Sequence, residues 1–285
     1  MNYIMTGNSG LIGDYLKKRL DKDGHNNILT IDQREGFNIL SVKGIKLNPD
    51  TQPVDIMYHL AAHCKINEGT MNPELPHINN AIGTFEVLEF CRKNNIKKII
   101  NFSSSRVLGK EENPYTSSKK YGENLCEAYK QCYGIDYIIV RPSTVYGPCH
   151  DITSRLMTKW CINALKGKEL PIYGREDKTL DFTYVDDFVD GIMLLTRNWD
   201  KARNKAYNIS GQQETRLTDL AEIIEKNIGK KINLKYYAPE IAQPQKVKVD
   251  ISEIKKFGYE PKVSLEEGVK RIINFYKGEG KKWIE

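Results

Sequence analysis

The amino-acid sequence predicts an α/β fold in which a doubly wound parallel sheet carries a smaller C-terminal part. Short apolar runs alternate with helical patterns through the first half of the chain, and a glycine-rich turn joins the first run to the first helix. After about Pro148 the alternation becomes less regular. Strict strand–helix–strand alternation favours right-handed crossovers, and therefore a parallel sheet with helices on both faces.

The individual elements follow from the spacing of apolar residues. Buried strands are predicted at residues 3–5, 28–31, 56–60, 99–102 and 137–140, and helices at 11–20, 81–93 and 115–133. Further along, the patterns predict a helix at 154–165, a strand at 182–185, a helix at 186–195, a late strand at 207–209, and amphipathic helices at 216–227 and 265–276.

These elements suggest two domains. Residues 1–150 are expected to form a cofactor-binding domain, to which part of 175–210 returns. Residues 151–285 are expected to form mainly a smaller substrate-binding domain over the carboxyl edge of the sheet. Ligands of doubly wound folds bind at that edge.

Composition is ordinary for a globular protein. The chain has 285 residues, of which 40% are hydrophobic and 28% charged, and its net charge is +6. Basic residues occur in scattered pairs, so we expect no nucleic-acid partner, although a mild positive field favours an anionic substrate. We expect no signal peptide, membrane span or metal site, and the six cysteines, none in a Cys-x-x-Cys pair, are expected to be reduced in the cytoplasm.

The glycine-rich turn at 6–13 predicts a dinucleotide site. Glycines there allow a tight turn and close approach of backbone N–H groups to a pyrophosphate at a helix N-terminus. Asp32 closes the second strand and can accept both ribose hydroxyls, which favours NAD over NADP. The predicted cofactor-binding residues of this region are Gly7, Asn8, Ser9, Gly10, Leu11, Ile12, Gly13 and Asp32.

Tyr115 and Lys119 are the candidate catalytic pair. Four residues apart at the start of a helix, they share one face. An adjacent ammonium and the charge of oxidised nicotinamide would favour the phenolate, so Tyr115 could take a hydroxyl proton while a hydride leaves the same carbon. Upstream, a serine of the turn Ser103-Ser104-Ser105 could bridge the substrate oxygen and the tyrosine.

Taken in order, these stretches resemble the extended short-chain dehydrogenases, specifically the NAD-dependent epimerase/dehydratase family typified by UDP-glucose 4-epimerase. The resemblance rests on the glycine turn with Asp32, the stretches 55–62, 80–84, 102–105, 141–148, 181–187, 207–211 and 264–268, and the Tyr115/Lys119 pair. It implies a Rossmann domain, a small sugar-nucleotide domain, and a homodimer formed through the helices after Ala81 and Tyr115.

The resemblance also implies site residues. Counted backward from Gly109, the catalytic serine falls on Ser104, with Ser105 as the second choice. Further cofactor-binding residues implied are Leu60, Ala61, Ala62, Asn80, Ser103, Tyr115, Lys119, Arg141, Pro142 and Ser143, and the substrate residues implied are Ser105, Arg106, Thr144 and Val145.

Several positions depart from the family pattern. Dehydratases carry Asp-Glu where this chain has Ser105-Arg106, and decarboxylases keep a glutamate at the Arg106 position. Thr144 and Leu180 stand where relatives carry Asn and Arg that contact the nucleotide. These departures disfavour the dehydratases and decarboxylases and leave the sugar and the nucleotide open.

Three functions remain. The first is a nucleotide-sugar 4-epimerase, which oxidises C4 and re-reduces the keto-sugar on the other face. The second is a 4-ketoreductase or 4-dehydrogenase that exchanges NAD(H) and needs the same three residues. The third is an NAD-binding regulatory protein without activity, which is disfavoured because serine, tyrosine and lysine are all retained.

Overall fold

The computed structural model describes residues 1–48, 50, 52–150, 155–244, 246 and 248–284. Its strands are β1 (Asn2–Thr6), β2 (Asn26–Ile31), β3 (Ile56–His59), β4 (Lys98–Phe102), β5 (Asp136–Pro142), β6 (Thr144–Tyr146), β7 (Leu170–Tyr173), β8 (Thr179–Tyr184), β9 (Lys205–Ile209), β10 (Gln213–Arg216) and β11 (Leu234–Tyr237).

The α-helices are α1 (Leu11–Lys22), α2 (Ile66–Met71), α3 (Glu74–Pro76), α4 (Gly83–Lys93), α5 (Pro114–Tyr133), α6 (Leu156–Leu165), α7 (Val185–Arg197), α8 (Trp199–Ala202), α9 (Leu217–Ile228), α10 (Ser252–Lys255) and α11 (Leu265–Lys277). A π-helical turn at His77–Ile82 leads into α4, and short 3₁₀ turns lie at Gln33–Glu35, Ile39–Gly44, Ser105–Leu108 and Lys281–Trp283.

A six-stranded parallel sheet forms the centre, in the order β2-β1-β3-β4-β5-β9. The chain runs from β1 to β2 on one side and then to β3 on the other side of β1. A crevice therefore opens between β1 and β3, where the crossovers leave the sheet in opposite directions. Thr6 pairs with His59, and His59 pairs with Asn101. The carboxyl ends of β1, β3 and β4 therefore meet at one edge.

Alternation along the strands separates two hydrophobic clusters. In β1, Tyr3 and Met5 face one cluster and Ile4 faces the other, because successive strand side chains point to opposite faces. Phe188 of α7 belongs to the first cluster and Phe90 of α4 to the second, and both are fully buried. Each such side chain contributes roughly 1.5–3 kcal/mol by burial, which holds helices on both faces.

Two smaller sheets lie outside the main one. Strand β8 pairs with β6 in parallel and with β10 antiparallel, and β7 pairs with β11 in parallel. Helix α11 contacts α6 and α9. These elements continue the first hydrophobic cluster, which includes Trp160, Leu220 and Ile272.

The predicted fold class is confirmed, and the predicted elements are present within a few residues. The late strand is β9, which pairs with β5 and returns the chain to the main sheet. Strands β6, β7, β10 and β11 were not predicted. The predicted helix at 154–165 appears as α6, while its first residue, Ser154, lies outside the described residues together with 151–153, where the second predicted domain begins.

Candidate active site

The turn between β1 and α1 is a tightly packed glycine loop. Gly7 has φ of +75°, and a Cβ there would lie 2.6 Å from the backbone nitrogen of Ala61. A Cβ on Gly13 would overlap the carbonyl oxygen of Gly7. Gly10 differs, because its Cβ would meet only the Gly7 oxygen at 3.5 Å. Space is therefore open over Gly10 at the N-terminus of α1, where backbone N–H groups favour an anion.

Asp32 is fixed against this loop. One carboxylate oxygen accepts a hydrogen bond from the Ser9 backbone nitrogen and the other from the Arg34 nitrogen, both at 2.9 Å. The Arg34 guanidinium donates in turn to the Ser9 carbonyl oxygen at 3.0 Å. Asn8 donates to Glu35 at 2.6 Å, while its own carbonyl oxygen Oδ1 is buried without a partner among the described residues.

Leu11 and Ile12, which sequence reasoning placed at the cofactor, serve the first hydrophobic cluster with their side chains. Leu11 is buried in that cluster and Ile12 packs against it. Any contact they make with a cofactor would therefore come mainly from their backbone at the helix start.

The end of β3 is tied to β1 through a buried histidine. Thr6 Oγ1 accepts from the Ala61 nitrogen at 3.1 Å and lies 2.8 Å from His59 Nδ1, and His59 Nε2 lies 3.1 Å from Thr84 Oγ1. Burial, with a smaller effect of Lys119, lowers the pKa of His59 to about 3. His59 is therefore a neutral packing residue.

The residues after His59 are held along the sheet edge. Leu60 donates its backbone N–H to the Thr6 carbonyl at 3.1 Å, and Leu60, Ala61 and Ala62 remain partly exposed. Asn80, in the π-helical turn, accepts from the His63 nitrogen at 2.7 Å and donates to Ser118 Oγ at 3.0 Å. It thereby joins this loop to α5.

Capping residues fix the start of helix α5 and therefore the position of its first turn. Asn113 caps the helix by accepting from the Thr116 nitrogen at 2.9 Å, and Pro114 occupies the first turn. Tyr115 and Lys119 then face the ends of β3 and β4. The Lys119 ammonium donates to the carbonyl oxygen of Phe102, the last residue of β4, at 2.8 Å.

Both side chains have lost much of their contact with water. Burial raises the pKa of Tyr115 to about 12, while a side-chain hydrogen bond with Ser104 and the charges of Arg106 and Arg155 oppose that rise. Burial lowers the pKa of Lys119 to about 8. The charges of Arg106 and Arg155 act in the direction that the sequence analysis expects of Lys119, because they favour the phenolate.

The three serines of the turn after β4 have different surroundings. Ser104 caps the 3₁₀ turn by accepting from the Arg106 nitrogen at 3.2 Å, and its side chain also reaches Tyr115. Ser103 is buried with its hydroxyl unpartnered among the described residues, and Ser105 is buried as well. Of the three, Ser104 is therefore the one that the structure brings to the tyrosine.

The segment at 141–145 is bound largely to neighbouring protein groups. The Arg141 guanidinium binds both carboxylate oxygens of Glu123 on α5, one of them at 2.8 Å. Ser143 shares a hydrogen bond with Thr183. Arg141 is thus available to a cofactor mainly through its backbone, and Pro142 follows it at the end of β5.

Of the four predicted substrate residues, Ser105 and Arg106 lie in the 3₁₀ turn after β4, and Thr144 and Val145 lie on β6. Thr144 is partly exposed on β6 opposite Phe182 of β8, whereas Val145 is buried in the first hydrophobic cluster. Leu180 is buried in the same cluster, so it makes apolar contacts at the position where the resemblance implies an arginine. Arg155, which sequence reasoning missed, donates to the Val145 carbonyl at 3.2 Å.

The loop, Asp32 and the sheet edge fit a bound dinucleotide. Space over Gly10 suits a pyrophosphate, and the fixed carboxylate of Asp32 suits ribose hydroxyls. The buried oxygens of Asn8 and Ser103, which have no partner in the described part of the chain, offer further hydrogen bonds. Within the described ranges, no group of three or more potential metal ligands comes together, and no helix is long and apolar enough to cross a membrane.

Comparison with known proteins agrees with this geometry. The model of the NAD-dependent epimerase/dehydratase family matches residues 3–210. An uncharacterized UDP-glucose epimerase, YtcB, of Bacillus subtilis is 29% identical over 98% of this chain and 100% of its own length. A UDP-glucuronate 4-epimerase of Thermodesulfobacterium geofontis is 28% identical, covering 96% of each chain.

A solved structure is similar over its full length. The crystal structure of a UDP-glucuronic acid 4-epimerase mutant from Bacillus cereus, in complex with NAD and UDP-4-deoxy-4-fluoro-glucuronic acid, superposes with a TM-score of 0.88. Sequence identity is 25%, and the match covers 97% of this chain and 99% of that one. The chain therefore belongs to the NAD-dependent epimerase/dehydratase family and is an enzyme of the extended short-chain dehydrogenase type.

Proposed function

We propose that this enzyme is a nucleotide-sugar 4-epimerase. The observation that carries the proposal is the buried side chain of Tyr115, on which Ser104 acts and which lies one helical turn before Lys119 on α5. Bound NAD would accept a hydride from C4 and return it. Tyr115 would take the C4 hydroxyl proton and give it back, and Ser104 would hold the C4 oxygen.

Charge around the tyrosine supports a proton-transfer role. Burial makes the phenolate costly, and the charges of Arg106 and Arg155 oppose that cost. Lys119 is anchored to the Phe102 carbonyl, which fixes its ammonium at the end of β4. The two residues that follow Ser104 are Ser105 and Arg106, and neither is a carboxylate that could remove a second proton from the sugar. The site thus suits oxidation and reduction at one carbon better than elimination of water.

The experiment compares the wild type with Tyr115→Phe, using Tyr121→Phe as the control. Tyr121 lies on the same helix but is 47% exposed. NAD released from purified protein is quantified, and nucleotide sugars are tested for 4-epimer formation. We expect Y115F to keep its fold and NAD while turnover falls by about 10²–10⁴-fold, and Y121F to be unchanged.

Each other outcome has a definite meaning. Consumption or formation of one NADH for each sugar converted would favour the 4-ketoreductase or 4-dehydrogenase. NAD binding without turnover of any nucleotide sugar would favour the regulatory protein. Unchanged turnover in Y115F would contradict the proposed chemistry.

The homodimer is also a proposal. The π-helical turn, α4 and α5 border an open groove of about 710 Å³ whose lining includes Ile82, Phe85 and Tyr121. Ile82 and Tyr121 are 37% and 47% exposed. A second copy of the same helix pair would cover both patches at once. Light scattering on Tyr121→Glu should show a lower mass than the wild type.

Two more assignments remain proposals. We place the enzyme in the cytoplasm because no disulfide joins its cysteines in the part of the chain that is described. We assign residues 1–150, with β9, to the NAD domain and most of 151–285 to the substrate domain. The two small sheets and the packing of α11 on α6 and α9 support that division.

A further inference from the structure

The segment that follows β11 crosses from a small sheet to the helices beside the candidate active site. We call residues 238–244 the strap. The Gln243 side chain donates to Asn67 Oδ1 of α2 at 3.2 Å, and the Ala242 carbonyl accepts from Asn113 Nδ2 at 3.1 Å. Asn113 caps α5, the helix of the candidate catalytic pair. The strap therefore rests on the part of the chain that positions that pair.

Glu240 is the acidic residue of the strap and makes its third attachment. Its carboxylate accepts a hydrogen bond from the Asn67 side-chain nitrogen and lies 3.4 Å from Lys178 Nζ. The Lys178 side chain is only 8% exposed, and it also donates to the carbonyl oxygen of Tyr173 at 2.9 Å. An unpaired ammonium is costly in such surroundings. Glu240 therefore balances a positive charge that the fold has largely removed from water.

A second cation near Glu240 is Arg106, in the 3₁₀ turn after β4. Burial lowers the pKa of Arg106, and the charge of Glu240 is among those that oppose this shift. Arg106 Nη1 is buried without a hydrogen-bond partner among the described residues. The carboxylate of the strap thus lies near two buried cations, and two cations together attract an anion.

The strap also limits the space beside the candidate catalytic residues. A cavity of about 100 Å³ is lined by Ser105 and Thr116 on one side and by residues of the strap on the other. Ser105 and Thr116 directly follow Ser104 and Tyr115 in the chain. Pockets that hold small ligands usually have about 300–1,000 Å³. A nucleotide sugar therefore does not fit into this space while the strap is in this position.

The strap is held in this position by a few polar contacts. Ile241, its largest apolar residue, is 76% exposed, so little hydrophobic burial stabilises the segment. Ala242 has φ of +51°, a conformation that a residue with a Cβ rarely adopts. Hydrogen bonds to the strap contribute only modestly, because water can replace them when the strap moves away. The strap can therefore be released without disturbing the rest of the fold.

We propose that the strap is a gate, closed in the free enzyme, in which Glu240 occupies the place at Lys178 that the diphosphate of a nucleotide sugar takes when the gate opens. The inference rests on the proposed function, which brings the sugar to Tyr115 and supplies the diphosphate. Two anions at one buried ammonium repel each other, so Glu240 has to leave. The apparent affinity for the diphosphate is then reduced in proportion to the fraction of molecules with an open strap.

The test measures binding of UDP, dTDP and GDP to the NAD-loaded enzyme by calorimetry, so that it does not depend on turnover. Glu240→Gln keeps the shape of the side chain and removes its charge. The nucleoside diphosphate that the wild type prefers should bind E240Q about 10-fold more tightly, as expected when a hydrogen bond between charged groups no longer holds the strap. Asn67→Ala releases two contacts of the strap without changing Lys178, and should tighten binding about threefold or more. The control Glu253→Gln, at an exposed glutamate bound to Lys256, should change nothing.

Unchanged or weaker binding in E240Q overturns the inference, because Glu240 would then not compete with the ligand. Tighter binding in E240Q without any change in N67A also overturns it, since the charge of Glu240 would act without release of the strap. The inference fails as well if no nucleoside diphosphate binds to any variant.

Formation of the 4-epimer by the wild type is assayed separately, so that the two proposals can be told apart. Epimerisation together with unchanged binding in E240Q would refute the gate alone. Tighter binding in both E240Q and N67A, without epimerisation of any nucleotide sugar, would support the gate and refute the proposed reaction.

Discussion

Substitutions at Gly13 and Gly10 test two different roles of the glycine loop, its packing and its binding of the cofactor. In Gly13→Ala, the new Cβ would overlap the Gly7 carbonyl oxygen and lie 2.7 Å from Asn8 Cα. Both neighbours are backbone atoms, so no side-chain rotation can relieve the contact. We expect the free energy of unfolding to fall by about 1–3 kcal/mol, the range for overpacking.

Gly10→Ala is the matched control. Its Cβ would meet only the Gly7 oxygen, at 3.5 Å, and its φ of −80° is open to any residue. The loss of stability should stay below about 1 kcal/mol, the cost of a poorer helix cap. NAD affinity should nevertheless fall about tenfold or more, because the methyl group would fill the space where a pyrophosphate would lie.

Urea titration gives the unfolding free energies of both variants, and calorimetry gives NAD affinity. The reasoning is refuted if G13A is as stable as the wild type. It is also refuted if G10A binds NAD normally, because the open space over Gly10 would then have no part in cofactor binding.

Three further predictions concern charge. Asp32→Asn keeps one of the two acceptor oxygens that receive the Ser9 and Arg34 backbone nitrogens, replaces the other by an amide nitrogen, and removes the negative charge, so the preference for NAD over NADP should narrow when both dissociation constants are measured. The pKa of His59 is lowered from 6.5 to about 3, so His59 is protonated in the unfolded state before it is protonated in the folded state as pH falls. The free energy of unfolding should therefore decrease from about pH 6.5 toward pH 3, by up to about 1.4 kcal/mol per pH unit. The stability of His59→Gln should depend less on pH over this range. The pKa of Lys119 is lowered to about 8, so kcat/KM should fall above that pH as the ammonium loses its proton. Lys119→Arg should move this alkaline decrease in kcat/KM to higher pH. If the decrease stays at the same pH, it belongs to the titration of another group.

Local sequence determined the framework of the molecule. Alternating apolar runs fixed the strands of the main sheet, since burial on both faces leaves a signal in each segment. The glycine spacing fixed the β1–α1 turn, and the four-residue spacing of Tyr115 and Lys119 placed both on one helix face. Each of these is decided within a few residues.

Short strands left no comparable signal. Strand β6 has three residues, and β7, β10 and β11 have four each. Segments of that length show no clear periodicity, and their pairing depends on partners far along the chain.

Only the tertiary structure decided which charges and hydroxyls meet. Arg155 reaches the surroundings of Tyr115 from 40 residues along the chain, Arg141 is bound by Glu123, and His59 is enclosed between two threonines. Their electrostatics depend on burial and on distances between side chains from separate elements. The sequence therefore determined the family and the fold, whereas the contacts between side chains of separate elements at the candidate site are decided only when the chain packs.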